Sequence, residues 1–234
     1  MNIGFLGLGK LGLPVALATE SKGHNVLGYD ISEKTIQNIK NRVIDYKEIW
    51  VEDYLPNSKI EILDIHNLVK KSDIIFVPIQ TPHHNKYEGI TRIPEERADF
   101  DYSFLKNGVK TLSDEIEKQK TDKVVIIIST VLPGTITREI KPLLGEYTKL
   151  VYNPFFIAMG STMKDFLHPE FILFGRDDEL ALKVGKDFYK TISSAPIYDT
   201  TIENAELIKV SYNTMISTKI SFTNTLMEMC YHLP

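Results

Sequence analysis

Asn2-Ile3-Gly4-Phe5-Leu6-Gly7-Leu8-Gly9-Lys10-Leu11-Gly12-Leu13-Pro14 is the stretch on which the fold turns. Ile3, Phe5 and Leu6 make a short apolar run that reads as a buried strand, and three glycines at the spacing G-x-G-x-x-G follow it directly. Leu13-Pro14 then suits the opening of a helix, where the amide hydrogen that proline lacks is not needed. In this context each glycine has its own reason. Gly7 permits the tight turn, Gly9 lets the main chain approach a diphosphate, and Gly12 lets the helix pack closely on the strand. The amides of the turn, those of Lys10 and Leu11 included, face the phosphates at the positive end of the helix.

Working outward, the next strand-like run ends at Asp30, eighteen residues beyond Gly12, where a carboxylate binds the ribose hydroxyls of an adenine dinucleotide. Its presence favours NAD over NADP. Further β-branched runs at residues 59–63, 73–77, 123–128 and 150–152 alternate with helical stretches, which is βαβ rhythm. Val124-Val125-Ile126-Ile127-Ile128 shows no polar alternation, as a parallel strand covered by helices on both faces requires. The pattern resumes with strands at 171–174 and 195–198 around a helix at 178–190.

From Thr200 the chain reads as one helix without internal Pro or Gly until Pro234, opened by Thr200 and Glu203 as a T-x-x-E capping box. Its apolar stripe, Ala205, Ile208, Tyr212, Met215, Ile216, Ile220, Leu226, Met229 and Leu233, is wider than one neighbour needs. The expected architecture is α/β: a doubly wound, mostly parallel Rossmann-type sheet over residues 1–199, then one long C-terminal helix over residues 200–234. Residues 81–100, polar and punctuated by Pro82, Gly89 and Pro94, read as a long loop.

Composition narrows the partners. With 234 residues, 43% apolar and 25% charged, the chain has a globular balance, and a net charge of −4 gives no general attraction to nucleic acid or to an anionic membrane. The single cysteine, Cys230, rules out an internal disulfide and fits a cytoplasmic setting; its place in the helix reads as a buried packing thiol. Residues 3–8 are too short for a signal core or a span. His83 and His84 lack further ligands at useful spacing, so no metal is expected.

Other punctuation falls at the carboxyl edge of the sheet, where open α/β sheets bind ligands: Thr81-Pro82 after the fourth strand, and Ser129-Thr130-Val131 with Pro133-Gly134-Thr135 after the fifth. Thr81, Pro82, Ser129 and Thr130 are expected to line the cofactor cleft. The Thr130 hydroxyl suits a water or a substrate hydroxyl, and equally a turn or helix cap. Lys209 and Asn213, four apart on the long helix, project from one face and either converge on a reacting oxygen or face solvent.

Taken with Asn153-Pro154 and with Asn204-Ala205-Glu206-Leu207-Ile208-Lys209, Asn213 and Thr218-Lys219-Ile220-Ser221-Phe222, these motifs make the chain resemble the UDP-glucose/GDP-mannose dehydrogenase family from Met1 almost to its last residue. The resemblance implies an NAD-dependent oxidoreductase acting on a nucleotide sugar, most simply a UDP-sugar, in polysaccharide biosynthesis. It gives Thr130 and Asn213 the placing of a catalytic water and substrate. To Lys209 it gives the stabilising of negative charge on the substrate oxygen. Family members hold the aldehyde stage on a cysteine in a part of the protein beyond this helix, which is expected to open a second domain and to build a homodimer along residues 201–233.

Three positions depart from the family pattern. Phe155 and Met159 stand where relatives carry acids in N-P-E-F-L-x-E-G, and Phe171 stands where they often carry an arginine. Phenylalanine can neither accept a proton nor orient water, so hydrolysis of the covalent intermediate by the usual route is not expected. Two further readings follow: a single-step dehydrogenase resembling the β-hydroxyacid dehydrogenases, and a non-catalytic NAD-binding homologue.

Overall fold

Eight strands and eight α-helices follow one another along the chain in the computed structural model, which describes residues 1–88, 92 and 94–233; Gly89 and Pro234 lie outside these. The first half-sheet is β1 (Asn2–Leu6), α1 (Gly12–Ser21), β2 (Asn25–Tyr29), α2 (Glu33–Lys40), α3 (Val51–Tyr54) and β3 (Glu61–Ile62). Next come α4 (Ile65–Lys71), β4 (Ile74–Val77), α5 (Ser103–Gln119), β5 (Lys123–Ile127), a π-helical turn at Ile136–Ile140 and β6 (Thr148–Tyr152). The chain ends with α6 (Thr162–Leu167), β7 (Ile172–Arg176), α7 (Glu179–Ile192), β8 (Ile197–Thr201) and α8 (Ile202–His232).

The strands form one sheet in the order β3-β2-β1-β4-β5-β6-β7-β8. All pairs are parallel except β6 with β7, where Val151 faces Arg176 and Tyr152 faces Gly175. The order reverses between β1 and β4, so a switch point opens at their carboxyl ends. Alternation along β4 shows both faces covered: Ile74 and Phe76 join one core with α1 and α7, while Ile75 and Val77 join the other with α4 and α5. The unbroken apolar run of β5 splits in the same way, Val124 and Ile126 to one side, Val125 and Ile127 to the other. Helix α1 is buried from Gly12 to Thr19, which explains why Val15, Ala16, Leu17 and Ala18 carry no polar face.

Several expectations shift. The third strand is only two residues long, and α1 starts one residue early, at Gly12. Strand β8 runs on to Thr201, so the cap of α8 moves by one residue: the Thr201 hydroxyl, not that of Thr200, accepts the Asn204 amide at 3.2 Å. Glu203 does not close a capping box; its carboxylate accepts from the Thr137 hydroxyl at 2.7 Å. Within the expected long loop, Asn85–Tyr87 makes a short 3-10 turn. The largest correction concerns Cys230, which is exposed, not buried. Only the first turns of α8 pack on the sheet, through Ile202, Ala205, Glu206 and Lys209; Ile216, Ile220, Leu226 and Met229 are open to solvent.

Candidate active site

The glycine turn joins β1 to α1 and is shaped by its neighbours. Gly7 adopts φ +117° and donates its amide to the Tyr29 carbonyl at 2.8 Å. A β-carbon on Gly12 would fall 2.1 Å from the Gly7 carbonyl oxygen, so the helix reaches this depth only without one. A β-carbon on Gly9 would meet nothing within 4 Å. That open space, bounded by the amides at the start of α1, is what a diphosphate needs. Leu8 does not fill it: its side chain is buried, packed so tightly over Gly28 that a β-carbon there would lie 2.5 Å from Leu8 Cδ1.

Asp30, just past β2, turns toward the glycine loop. Its Oδ2 accepts the Leu8 amide at 2.7 Å and its Oδ1 accepts the Ser32 amide at 2.8 Å, while the Ser32 hydroxyl caps α2. Each carboxylate oxygen keeps a lone pair for a ribose hydroxyl. Lys10 is exposed, its ammonium 6.0 Å from the Tyr46 ring, and Leu11 is half-buried against the core. Glycine turn, open floor and strand-tip carboxylate together fit an adenine dinucleotide.

The loops after β4 and β5 are pinned to each other across the switch point. Thr81 donates its hydroxyl to the Thr130 carbonyl at 2.6 Å, and the Ser129 hydroxyl donates to the Ile79 carbonyl at 2.5 Å. Ser129 is buried, so its side chain braces the cleft wall from behind; Pro82 receives the Asp101 amide on its carbonyl at 2.8 Å. Thr130, half-buried, rides between these ties.

Lys209 and Asn213 occupy one face of α8, as their spacing predicts, and Lys209 Nζ donates to Asn213 Oδ1 at 3.0 Å. The solvated-face alternative fails for Lys209, which is only 6% exposed. Its ammonium sits 5.1 Å from the centre of the Phe156 ring, which in turn packs on Phe171 at 4.6 Å and Tyr212 at 5.0 Å. Among the described residues no carboxylate lies within ion-pair distance of Lys209. Burial therefore lowers its pKa to about 8. Beside the pair opens a cleft of about 590 Å³, lined by Phe156, Asp165, His168, Tyr212, Asn213 and Ile216 among others. Asp165 is already engaged there, accepting the Ala158 amide and the Ser161 hydroxyl.

Phe155 points away from this cleft into the core, against Phe166, whereas Met159 is exposed. Asn153 is a buried brace, donating to the Leu173 carbonyl and accepting from the Tyr189 hydroxyl. Among the described residues no three His, Cys, Asp or Glu side chains gather where a metal ion could sit, and no helix is long and apolar enough to cross a membrane.

Sequence reasoning passed over Glu206. It is fully buried three residues before Lys209, its carboxylate accepting the Gly134 amide at 2.5 Å and the Ile136 amide at 2.8 Å. Gly134 belongs to the loop that carries Thr130, and Ile136 opens the π-helical turn that follows it. A buried glutamate is rare enough to be missed, since most lie at the surface.

Residues 1–193 match the model described as "UDP-glucose/GDP-mannose dehydrogenase family, NAD binding domain". An uncharacterized protein of Methanocaldococcus jannaschii is 30% identical over 98% of the chain and 25% of its own length. A UDP-glucose 6-dehydrogenase of Rickettsia conorii is 27% identical over 98% of the chain and 52% of its own length. Among solved structures, a ternary complex of GDP-mannose dehydrogenase from Pseudomonas aeruginosa superposes with a TM-score of 0.85 at 26% identity, covering 96% of this chain and 52% of that one. The chain thus spans about half the length of the dehydrogenases it matches. With its glycine turn, strand order and matched residues in agreement, the chain belongs to the UDP-glucose/GDP-mannose dehydrogenase family and carries that family's NAD binding domain.

Proposed function

We propose that the chain is the cofactor-binding half of an NAD-dependent nucleotide-sugar dehydrogenase, with a UDP-sugar as substrate. Residues 1–199 act as the NAD domain and residues 200–234 open the domain that completes the site. The observation that carries the reading is Lys209: a desolvated amine without a carboxylate partner among the described residues, hydrogen-bonded to Asn213, which lines an open cleft. Bound NAD supplies the hydride acceptor. Gly7 to Gly12 and Asp30 hold the dinucleotide, with Thr81, Pro82, Ser129 and Thr130 shaping the cleft. Thr130 and Asn213 place water and substrate hydroxyl, and the Lys209 ammonium stabilises negative charge on the reacting oxygen. Cytoplasmic polysaccharide biosynthesis is the setting that such a substrate suggests.

NADH absorbance with UDP-glucose, UDP-N-acetylmannosamine and GDP-mannose, using Lys209→Ala as control, tests the assignment. Lys209-dependent reduction of NAD supports it. No NAD binding by calorimetry at millimolar concentration overturns it. Phe155, buried where relatives carry an acid, favours a second reading, a non-catalytic NAD-binding homologue, for which binding without turnover is the expected result. Turnover of small hydroxyacids favours the β-hydroxyacid alternative instead. The open stripe of α8 suits a homodimer along residues 201–233, with Ile216 and Ile220 at its centre. Sedimentation of the wild type and of Ile220→Glu checks it: the wild type sediments as a dimer and the variant as a monomer.

A further inference from the structure

Besides the bonds to its Ser129 and Thr130 carbonyls, the loop after β5 is held at three points. Near its start, Ser129 donates its hydroxyl to the Ile79 carbonyl. In its middle, the Tyr102 hydroxyl accepts the Leu132 amide at 3.2 Å, lies 3.2 Å from Thr135 Oγ1, and donates to Asp99 at 2.5 Å. At its far end, Glu206 of α8 takes the amides of Gly134 and Ile136, one on each carboxylate oxygen. The first two ties run within the sheet layer and α5. Glu206 ties the loop to the helix that carries Lys209 and Asn213, beside the bond that Thr137 makes to Glu203 on the same helix.

The spacing on α8 matters as much as the bonds. Glu206, Lys209 and Asn213 fall at i, i+3 and i+7, so they share one helix face. Gly134 sits in the left-handed region at φ +84°, a conformation that residues with a β-carbon rarely adopt. Two main-chain donors converge on one side chain, and only a carboxylate offers them two acceptor oxygens; a glutamine must turn an NH₂ donor toward one of the amides.

Resting on the dehydrogenase reading above, we infer that Glu206 is a positioning residue: by clamping the Gly134 and Ile136 amides it fixes the Thr130 loop against the Lys209 turn of α8. The clamp keeps the first turns of α8 seated on the sheet, and with them the dry setting of the Lys209 amine over Phe156. Burial raises the Glu206 pKa, opposed by the two amides. The charged and titratable groups facing it are Glu203 on its own helix, Arg138 on the turn after the loop, and Tyr152 on β6.

The test compares wild type, Glu206→Gln and Glu206→Asp as the folded 234-residue chain, and it needs no turnover. Amide exchange read by mass spectrometry should accelerate about tenfold in peptides covering residues 130–137 of the Gln variant, the size expected for losing a hydrogen bond to a charged acceptor. Exchange in the β1–α1 peptide should stay unchanged. The pH midpoint of Lys209 acetylation by acetic anhydride should rise from about 8 toward that of an ordinary lysine, because a loosened helix admits water. Removing the carboxylate charge alone would move that midpoint down, so the direction separates positioning from simple electrostatics. The Asp variant, which keeps two acceptors on a shorter stem, should restore part of both effects, and it decides the matter if the Gln variant does not fold. An unchanged or lowered Lys209 midpoint with unchanged exchange overturns the inference, even where NAD binding and turnover stand. Loss of NAD binding by wild type overturns the dehydrogenase reading and leaves this clamp measurable.

Discussion

Asp30 and Leu8 are joined at 2.7 Å, carboxylate to amide, across the gap between the tip of β2 and the glycine turn. The residue expected to hold the ribose therefore also holds the turn in shape, so its two duties are coupled. Asp30→Ala removes both. Loss of the charge-assisted bonds to Leu8 and Ser32 should cost roughly 2 kcal/mol of stability. NAD affinity should fall about tenfold or more, as losing a hydrogen bond to a charged group predicts. Urea denaturation and calorimetric titration with NAD read the two effects, and unchanged NAD affinity would leave Asp30 as a brace only.

Gly9 and Gly12 make a contrasting pair within one motif. A β-carbon at Gly12 collides with the Gly7 carbonyl, and Gly12→Ala should destabilise the fold by about 3 kcal/mol as the helix is pushed off the strand. A β-carbon at Gly9 meets no protein atom, so Gly9→Ala should leave stability within about 0.5 kcal/mol. Its methyl group occupies the space for the diphosphate instead, and NAD binding should weaken sharply. Thermal unfolding with and without NAD separates the two variants: ligand should raise the Tm of wild type but not of Gly9→Ala.

How far the sequence could be read depends on whether the cause is local. The glycine turn, Asp30 and the unbroken apolar run of β5 announce a doubly wound sheet because turn, strand end and helix start are neighbours in the chain. Lys209 and Asn213 were visible as a pair for the same reason, helical spacing. The antiparallel entry of β7 is not written in any short pattern, since strand direction follows from how a distant segment returns to the sheet. The inward turn of Ser129 and the burial of Glu206 depend on partners 50 and 70 residues away. Cys230 departs from its expected burial because an apolar stripe implies a neighbour, yet no described residue covers that half of α8.

Lys209 gives a pH prediction whose sign follows from its depressed pKa of about 8. Between that value and the ordinary lysine range the unfolded chain carries the proton and the folded chain does not, so stability rises with pH through this window. Below it both states are protonated, and the full penalty of burying an ammonium is present. Lys209→Met should therefore stabilise the protein at pH 7, by on the order of 2 kcal/mol, and flatten the alkaline rise. Any hydride transfer should be lost in this variant, and in wild type it should decline above about pH 8 as the ammonium deprotonates. Urea midpoints from pH 7 to 10 check the first part, and NADH absorbance over the same range checks the second.

Phe155 and Met159, the two positions at which the family resemblance leads one to expect acids, stand in opposite environments: Phe155 is 8% exposed against Phe166, and Met159 is 65% exposed. Placing acids at the two positions should therefore have unequal consequences. Phe155→Glu places a carboxylate among aromatic side chains without a hydrogen-bond partner and should cost about 3 kcal/mol or more. Met159→Glu faces water and should stay within about 0.5 kcal/mol of wild type. If thermal denaturation finds both variants equally stable, Phe155 faces the cleft and an acid there can be regained by one substitution. If only Phe155→Glu is destabilised, the core is packed around the aromatic ring, and placing an acid at that position requires changing Phe166 with it.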